Sequence, residues 1–221
     1  MIPPARPAAP RSSQAADRAP ADKLLYDWVK RALDIAIAPT VLVLSLPFWV
    51  WAFFAIMLTD GWPFLYAQTR VGRNGEVFTI LKFRSMIREA EKHGVPIYSQ
   101  KGDPRITRVG HIMRKTAIDE IPQIISIFRG HMSWVGPRPA RPEEVRQYLR
   151  DVPGYGLRHV VRPGLTGYAQ VHALDYRNIE QKLRYDLYYI AHRSLWLDLT
   201  IYVKSWANTL FARWDTARTR R

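Results

Sequence analysis

From Ile35 to Thr59 the chain carries no charged residue: IAIAPTVLVLSLPFWVWAFFAIMLT. No other feature restricts the fold so strongly. As one continuous helix these 25 residues extend about 37 Å, enough to cross a hydrocarbon core of about 30 Å. A signal peptide does not fit, because 34 residues precede the run and no small-residue cleavage site follows it. The alternative is the buried core helix of a soluble protein, where uncharged runs this long are rare. Pro39 and Pro47 interrupt the run, with Pro47 at its midpoint. An interior proline removes a backbone hydrogen bond and bends a helix, which membrane helices tolerate. Lys30 and Arg31 precede the run, and Arg70 and Arg73 follow it. Basic flanks stay on the cytoplasmic side, so a straight span strands one of them. A helix bent at Pro47 that enters and leaves one leaflet satisfies both, and Trp49 and Trp51 suit an interface better than a bilayer midplane. A re-entrant helix is expected.

The rest of the chain divides around this run. Residues 1–22 are Pro/Ala/Arg-rich with almost no large apolar side chain, which predicts a disordered tail. Residues 23–67 hold a short helix, LLYDWVKRALD, and the membrane run. A second folded domain with interfacial amphipathic helices is assigned to 68–205 and a basic tail to 206–221. Asn74-Gly75 within RVGRNGEVFTILKF predicts a β-hairpin. Ser85 can cap a short helix that stops at Gly94, and 101–110 reads as a basic loop. A helix is expected from near Asp119 to Gly130, then a stiff extended GPRPARP at 136–142 and a helix over 143–150. Residues 152–171 read as a Gly/Pro-punctuated loop with short strands, and Ile179 to Phe211 carries a helical period.

Composition excludes several chemistries. The chain has no cysteine, so disulfides, thiol catalysis and zinc–thiolate sites are absent. Neither a GxxxxGK[ST] loop, a GxSxG elbow nor an HExxH helix occurs, and the six histidines show no metal spacing. A net charge of +14 points to anionic partners. A nucleic-acid binder is one such reading, but no recognition element accompanies the charge and the ends carry part of it.

The acidic candidates are Asp119 and Glu120 in RKTAIDEIPQ. Pro122 cannot lie deep in a helix, so Asp119 falls at or near an N-cap, and Thr116-x-x-Asp119 matches a capping box. That reading is structural. The functional one is that a helix N-terminus beside Arg114 and Lys115 attracts anions, with the two carboxylates dividing attack and cation binding between them. Arg138, between two prolines, is either a solvated side chain on a stiff linker or a guanidinium held rigidly for phosphate. Lys82 and Arg84, and Arg105 and Arg108, are ordinary surface charges when taken singly.

Taken together, KRALD, RVGRNGEVFTILKFRSM, DPRITRVGHIMRKTAIDEIPQ, SWVGPRPARPEE, RPGLTGYAQV and KLRYDLYYI follow the order and approximate spacing of one family. Over about residues 26–205 the chain resembles a bacterial sugar transferase, a small monotopic polyprenyl-phosphate phosphoglycosyl transferase that begins glycan assembly. The resemblance implies that Asp119 is the nucleophile, taking a sugar phosphate from a UDP-sugar as an aspartyl intermediate and releasing UMP. It implies that Glu120 is the partner carboxylate associated with Mg²⁺, that Arg114 and Arg138 contact phosphate, and that Gln123 and Lys82 lie near the site. Pro47 matches the proline that breaks the re-entrant helix. Two departures are visible: the serine usual before that proline is Leu46, with Ser45 one place earlier, and the common tryptophan of Gly-Trp-Ala-Gln is Tyr168. The implied partners are a UDP-sugar, polyprenyl (undecaprenyl) phosphate and membrane lipid, with no nucleic acid. The expected fold is mainly α with short β-hairpins (α+β), a monotopic protein of the bacterial inner membrane whose catalytic domain faces the cytoplasm. A non-catalytic scaffold of the same fold is the competing reading, against which the intact Asp119-Glu120 pair and Arg138 argue. Asp119 must be ionised to attack, and the surrounding cations are expected to lower its pKa.

Overall fold

The structure, a computed structural model, describes residues 21–88, 90, 102–172 and 178–210. The sequence readings for 1–20, for most of 89–101, for 173–177 and for 211–221 lie outside the described residues.

Helix α1 runs from Ala21 to Leu44 and α2 from Leu46 to Thr59. LLYDWVKRALD is therefore not a separate helix but the first half of α1, and Pro39 lies inside α1 without ending it. The two helices meet at 53°. Pro47 explains the break: it has no N–H to offer, and its ring crowds the carbonyl four residues back. The freed groups find local partners. Phe48 N–H donates to Ser45 O at 2.9 Å, Ser45 Oγ donates to Leu42 O at 2.7 Å, and Trp49 Nε1 donates to Ser45 Oγ at 3.2 Å. The serine one place early is thus the residue that satisfies the hinge. Among the described residues no single helix is long and apolar enough to cross a membrane; α1 and α2 reach that length only as a bent pair. In α2 only Ala52 and Ile56 are buried, while Leu46, Phe48, Val50, Trp51, Phe54 and Leu58 are exposed. That exposure does not fit the core helix of a soluble protein.

The remainder is α+β. Strands β1 (Leu65–Val71) and β2 (Val77–Phe83) pair antiparallel, Val71 opposite Val77, around a turn in which Asn74 takes φ 56°. The Asn-Gly hairpin stands as read. Ser85 caps no helix: residues 85–88 are not helical, and Met86 forms an isolated bridge to Ile106. The predicted loop at 101–110 ends instead in α3 (Arg108–Thr116), whose Thr107 side chain accepts from Gly110 N–H. Gly110 is required there, since a Cβ would sit 2.0 Å from Ser85 O. A 3₁₀ turn (Ile118–Gln123) leads into α4 (Ile124–Arg129), which ends at Gly130 as expected. Strand β3 (Ser133–Val135) pairs with β4 (Gly164–Thr166) in parallel, so the second pair is not a hairpin. Between them lie α5 (Pro142–Asp151) and a 3₁₀ turn, Tyr155–Val160. After the short α6 (Tyr168–His172), the helical stretch expected from Ile179 is two helices, α7 (Ile179–His192) and α8 (Leu195–Leu210), so residues 206–210 belong to α8 and not to a tail.

One apolar cluster joins Phe78 and Ile80 of β2, Ile124 and Ile127 of α4, Trp134 of β3 and Ile201 of α8. Polar ties then fix the bent pair to it. Arg31 donates to Ile127 O at 2.8 Å and Phe128 O at 2.9 Å, capping the open end of α4. Buried Asp34 accepts from Ser133 Oγ and Trp134 N–H, and Arg84 donates to Asp60 O past the end of α2. Spin labels at Trp28→Cys and Leu58→Cys, both on exposed side chains, report the bend in a chain with no other cysteine. Adding Pro47→Leu should lengthen their separation by about 5 Å as the helix straightens. An unchanged distance would mean that packing of Ala52 and Ile56 sets the angle.

Candidate active site

The site begins with a backbone anomaly. Ala117, at φ 56°, ends α3 in the left-handed region, which costs an L-residue roughly 1–2 kcal/mol. That turn swings the chain into the 3₁₀ stretch and presents Asp119 and Glu120 beneath the end of β2. Asp119 is therefore not an N-cap. The capping box is not made either: Thr116 Oγ1 donates back to Ile112 O at 2.8 Å and Met113 O at 3.2 Å.

Lys82 comes from β2, on the side of the strand that also buries Phe78 and Ile80. From there Lys82 Nζ meets Glu120 Oε1 at 2.8 Å. Arg138 closes on the same carboxylate with both terminal nitrogens, Nη1 to Oε2 at 3.2 Å and Nη2 to Oε1. Burial alone would raise the Glu120 carboxyl, but Arg138 and Lys82 outweigh it and hold the group well below the usual range. Asp119 goes the other way. Its carboxyl is pushed up to about 6, first by burial and then by the Glu120 charge, against the pull of Lys82, Arg114 and Arg138. The expectation of a lowered pKa is corrected: the cations are present, but loss of water outweighs them. Among the described residues no side chain hydrogen-bonds the Asp119 carboxylate.

Arg138 is not a solvated linker arginine. Pro137 and Pro139 on either side of it cannot donate, and each of four successive carbonyls from Pro137 to Ala140 accepts a bond. Gly164 N–H donates to Pro137 O at 3.0 Å, Arg158 Nη2 to Arg138 O at 2.8 Å, Arg70 Nη1 to Pro139 O at 3.1 Å and Val71 N–H to Ala140 O at 2.9 Å. Arg158 is itself buried against Asp186, with Nη2–Oδ2 at 2.7 Å, and donates to Tyr155 OH at 2.7 Å. Sequence reasoning missed Arg158 and Asp186; their only signal was an Asp inside the quoted KLRYDLYYI. Arg114 donates from Nε to Ser85 Oγ at 2.8 Å, so it flanks Asp119 from α3. Gln123 is buried, its Nε2 without a hydrogen-bond partner among the described residues. All six predicted polar positions thus lie on elements that meet here, whereas Pro47 belongs to the hinge.

Among the described residues no three His, Cys, Asp or Glu side chains gather as a metal cage. A hard cation such as Mg²⁺ takes one or two carboxylates and completes its shell from phosphate and water; here both Glu120 oxygens already meet Lys82 and Arg138, and Asp119 is the carboxylate without a side-chain partner among the described residues.

The raised Asp119 carboxyl makes a stability prediction. Its ionised form is the penalised one, so the cost is absent below about pH 4 and complete above about pH 6. With metal chelated, Asp119→Asn should unfold roughly 1–3 kcal/mol less readily at pH 8, and the difference should vanish by pH 4. A variant less stable than wild type at pH 8 would overturn the assignment of the shift to burial.

Known sequences bear on the site. The sequence model of the bacterial sugar transferase family matches residues 25–212. The chain is 41% identical over 184 residues to the UDP-N-acetylgalactosamine-undecaprenyl-phosphate N-acetylgalactosaminephosphotransferase of Aeromonas hydrophila, covering 82% of this chain and 43% of that one. Against the UDP-glucose:undecaprenyl-phosphate glucose-1-phosphate transferase of Escherichia coli it is 38% identical, over 78% of this chain and 38% of the relative. A protein of the same name from Caulobacter vibrioides is 39% identical over 84% of this chain and 71% of its own length. The chain therefore spans less than half of the first two relatives.

Proposed function

The chain belongs to the bacterial sugar transferase family, and from that premise we propose that it transfers a sugar 1-phosphate from a UDP-sugar to polyprenyl (undecaprenyl) phosphate. The observation that carries this reading is the contrast between neighbours: Glu120 is locked by Lys82 and Arg138, while Asp119 is buried without a hydrogen-bond partner among the described residues. A buried carboxylate with no side-chain hydrogen bond among the described residues, set beside three cations, suits attack better than capping.

In the proposed reaction an Asp119 oxygen attacks the phosphorus that bears the sugar. A bond from that oxygen to phosphorus forms, and the bond from phosphorus to the UMP oxygen breaks. UMP departs with the electron pair. An oxygen of the lipid phosphate then attacks the same phosphorus, and Asp119 regains its carboxylate. Lys82, Arg114 and Arg138 exceed the two carboxylates by one positive charge, which suits a diphosphate donor. Arg138, whose fork holds Glu120 while its side chain stays 32% exposed, is the cation that a phosphate oxygen entering from solvent would meet. Gln123 would offer its unpartnered Nε2 to an anionic oxygen. A Mg²⁺ ion held by Glu120 would supply further neutralisation of the diphosphate.

The membrane arrangement follows from the same chemistry. A lipid-borne acceptor demands a site at the bilayer surface, and the bent, apolar α1–α2 pair tied to the site by Arg31, Asp34 and Arg84 supports a re-entrant anchor. UDP-sugars are cytoplasmic, so both ends of the pair would face the cytoplasm.

A panel of UDP-sugars, scored for UMP release with undecaprenyl phosphate and Mg²⁺ present, tests the reaction; the relatives' names differ in the sugar, so the panel includes glucose and N-acetylgalactosamine donors. Release dependent on lipid phosphate from at least one donor is expected, and none from any would overturn the proposal. Arg138→Lys should lose at least tenfold in rate while keeping its fold, because lysine offers a point charge and no fork. Full activity in that variant would contradict the phosphate role. For topology, single cysteines at Ser13 and Asn74 should both resist an impermeant maleimide until cells are permeabilised. Labelling at Ser13 alone would mean that the helix spans.

A further inference from the structure

Ser85 is a buried hydroxyl to which the proposed reaction gives no part. It lies two residues past the end of β2, is 7% exposed, and is fixed through its backbone. Arg84 N–H just before it donates to Phe64 O at 2.9 Å, and its own carbonyl accepts from Thr107 N–H at 3.2 Å. Helix α3 packs so tightly on it that a Cβ at Gly110 would sit 2.0 Å from Ser85 O. From that fixed point Ser85 Oγ accepts from Arg114 Nε at 2.8 Å.

Helix geometry explains why these two side chains meet. Residues four apart share a helix face, and helical side chains lean toward the N-terminus. Arg114 therefore lies back over Gly110, where no Cβ stands between it and Ser85. The bond commits Nε, and because a guanidinium is planar it fixes the plane of both terminal nitrogens as well. Ser85 thus does for Arg114 what the Glu120 carboxylate does for Lys82 and Arg138. Arg114 is one of the three cations that pull the Asp119 carboxyl down against burial. A hydroxyl is neutral, so it orients that cation without cancelling charge.

We propose that Ser85 is a positioning residue for the transfer: its Oγ holds the Arg114 guanidinium in one plane beside Asp119, so that the fork meets the donor diphosphate already oriented. The inference rests on the reaction proposed above and on Arg114 as a phosphate contact. A bond that only seated α3 on the end of β2 would matter to stability and not to rate.

The test is a double-mutant cycle in the full chain in detergent. It reads kcat/KM for a turned-over UDP-sugar in the UMP-release assay at saturating undecaprenyl phosphate, with thermal melts beside it. Ser85→Ala should lose about tenfold while staying folded at the assay temperature. Arg114→Met, which keeps the length of the side chain and removes every donor, should lose more. Ser85→Ala added to Arg114→Met should cost less than about twofold further, because the hydroxyl acts only through Arg114. A lowered melting temperature with the wild-type rate would mean that the bond only seats α3. A full tenfold loss in both backgrounds would mean that Ser85 acts on something other than Arg114, and either result overturns the proposal. Should Ser85→Ala fail to fold, Ser85→Cys replaces it, filling the same space with a weak acceptor, and the same outcomes decide. A wild type that releases no UMP from any UDP-sugar is a distinct result: it removes the reaction, and this inference with it.

Discussion

The carboxylate of Glu120, buried between Lys82 and Arg138, is the contact on which the rest of the site depends. A buried ion pair is poor evidence of stability, since desolvation consumes much of the attraction, but removing one partner leaves a charge that nothing compensates. That asymmetry explains how much structure is committed around Arg138. The hairpin delivers Lys82, Ala117 turns Glu120 into reach, and four donors fix the carbonyls of the proline segment so that the guanidinium has one direction to take. Asp119 is the remainder of this arrangement, buried and without a side-chain hydrogen bond among the described residues. The fold tolerates a costly carboxylate because its neighbours are satisfied.

The same logic of capping open backbone groups connects the apolar hinge to the chemistry. Arg31 closes the end of α4, the helix that follows the Asp-Glu turn, and Asp34 receives the backbone of β3, which leads into the proline segment. At the far end of α1, Tyr26 and Lys30 converge with Tyr189 on the Asp198 carboxylate, which seats α7 and α8 on α1.

Much of this was legible in the sequence where local chemistry decides. Asn74-Gly75 set a hairpin, Gly130 ended a helix, and Pro137 and Pro139 stiffened a segment, each through backbone restrictions that need no tertiary partner. Other features depended on contacts far along the chain. Helix α3 carries a glycine and few apolar residues, and its one local signal is the Thr107 cap; Ser85 starts no helix because Thr107 N–H donates to its carbonyl and Ile87 N–H donates to Arg105 O. The left-handed Ala117 has no sequence signature, since glycine or asparagine is what such a position ordinarily selects. The break between α7 and α8 did leave a trace. The apolar spacing slips at Ile190 to Leu195, where Ser194 caps α8 by accepting from Leu197 N–H. Arg158 and Asp186 were invisible as a pair because 28 residues separate them.

The central claim is that Asp119 carries the sugar phosphate covalently. Intact mass of the wild-type chain, mixed with a turned-over UDP-sugar and Mg²⁺ but no lipid phosphate, addresses it most directly. The account predicts a species heavier by one sugar phosphate, mapping to the peptide that contains Asp119, absent from Asp119→Asn, and discharged when undecaprenyl phosphate is added. An adduct that persists in Asp119→Asn, or lipid-linked product formed at the wild-type rate by that variant, would contradict it.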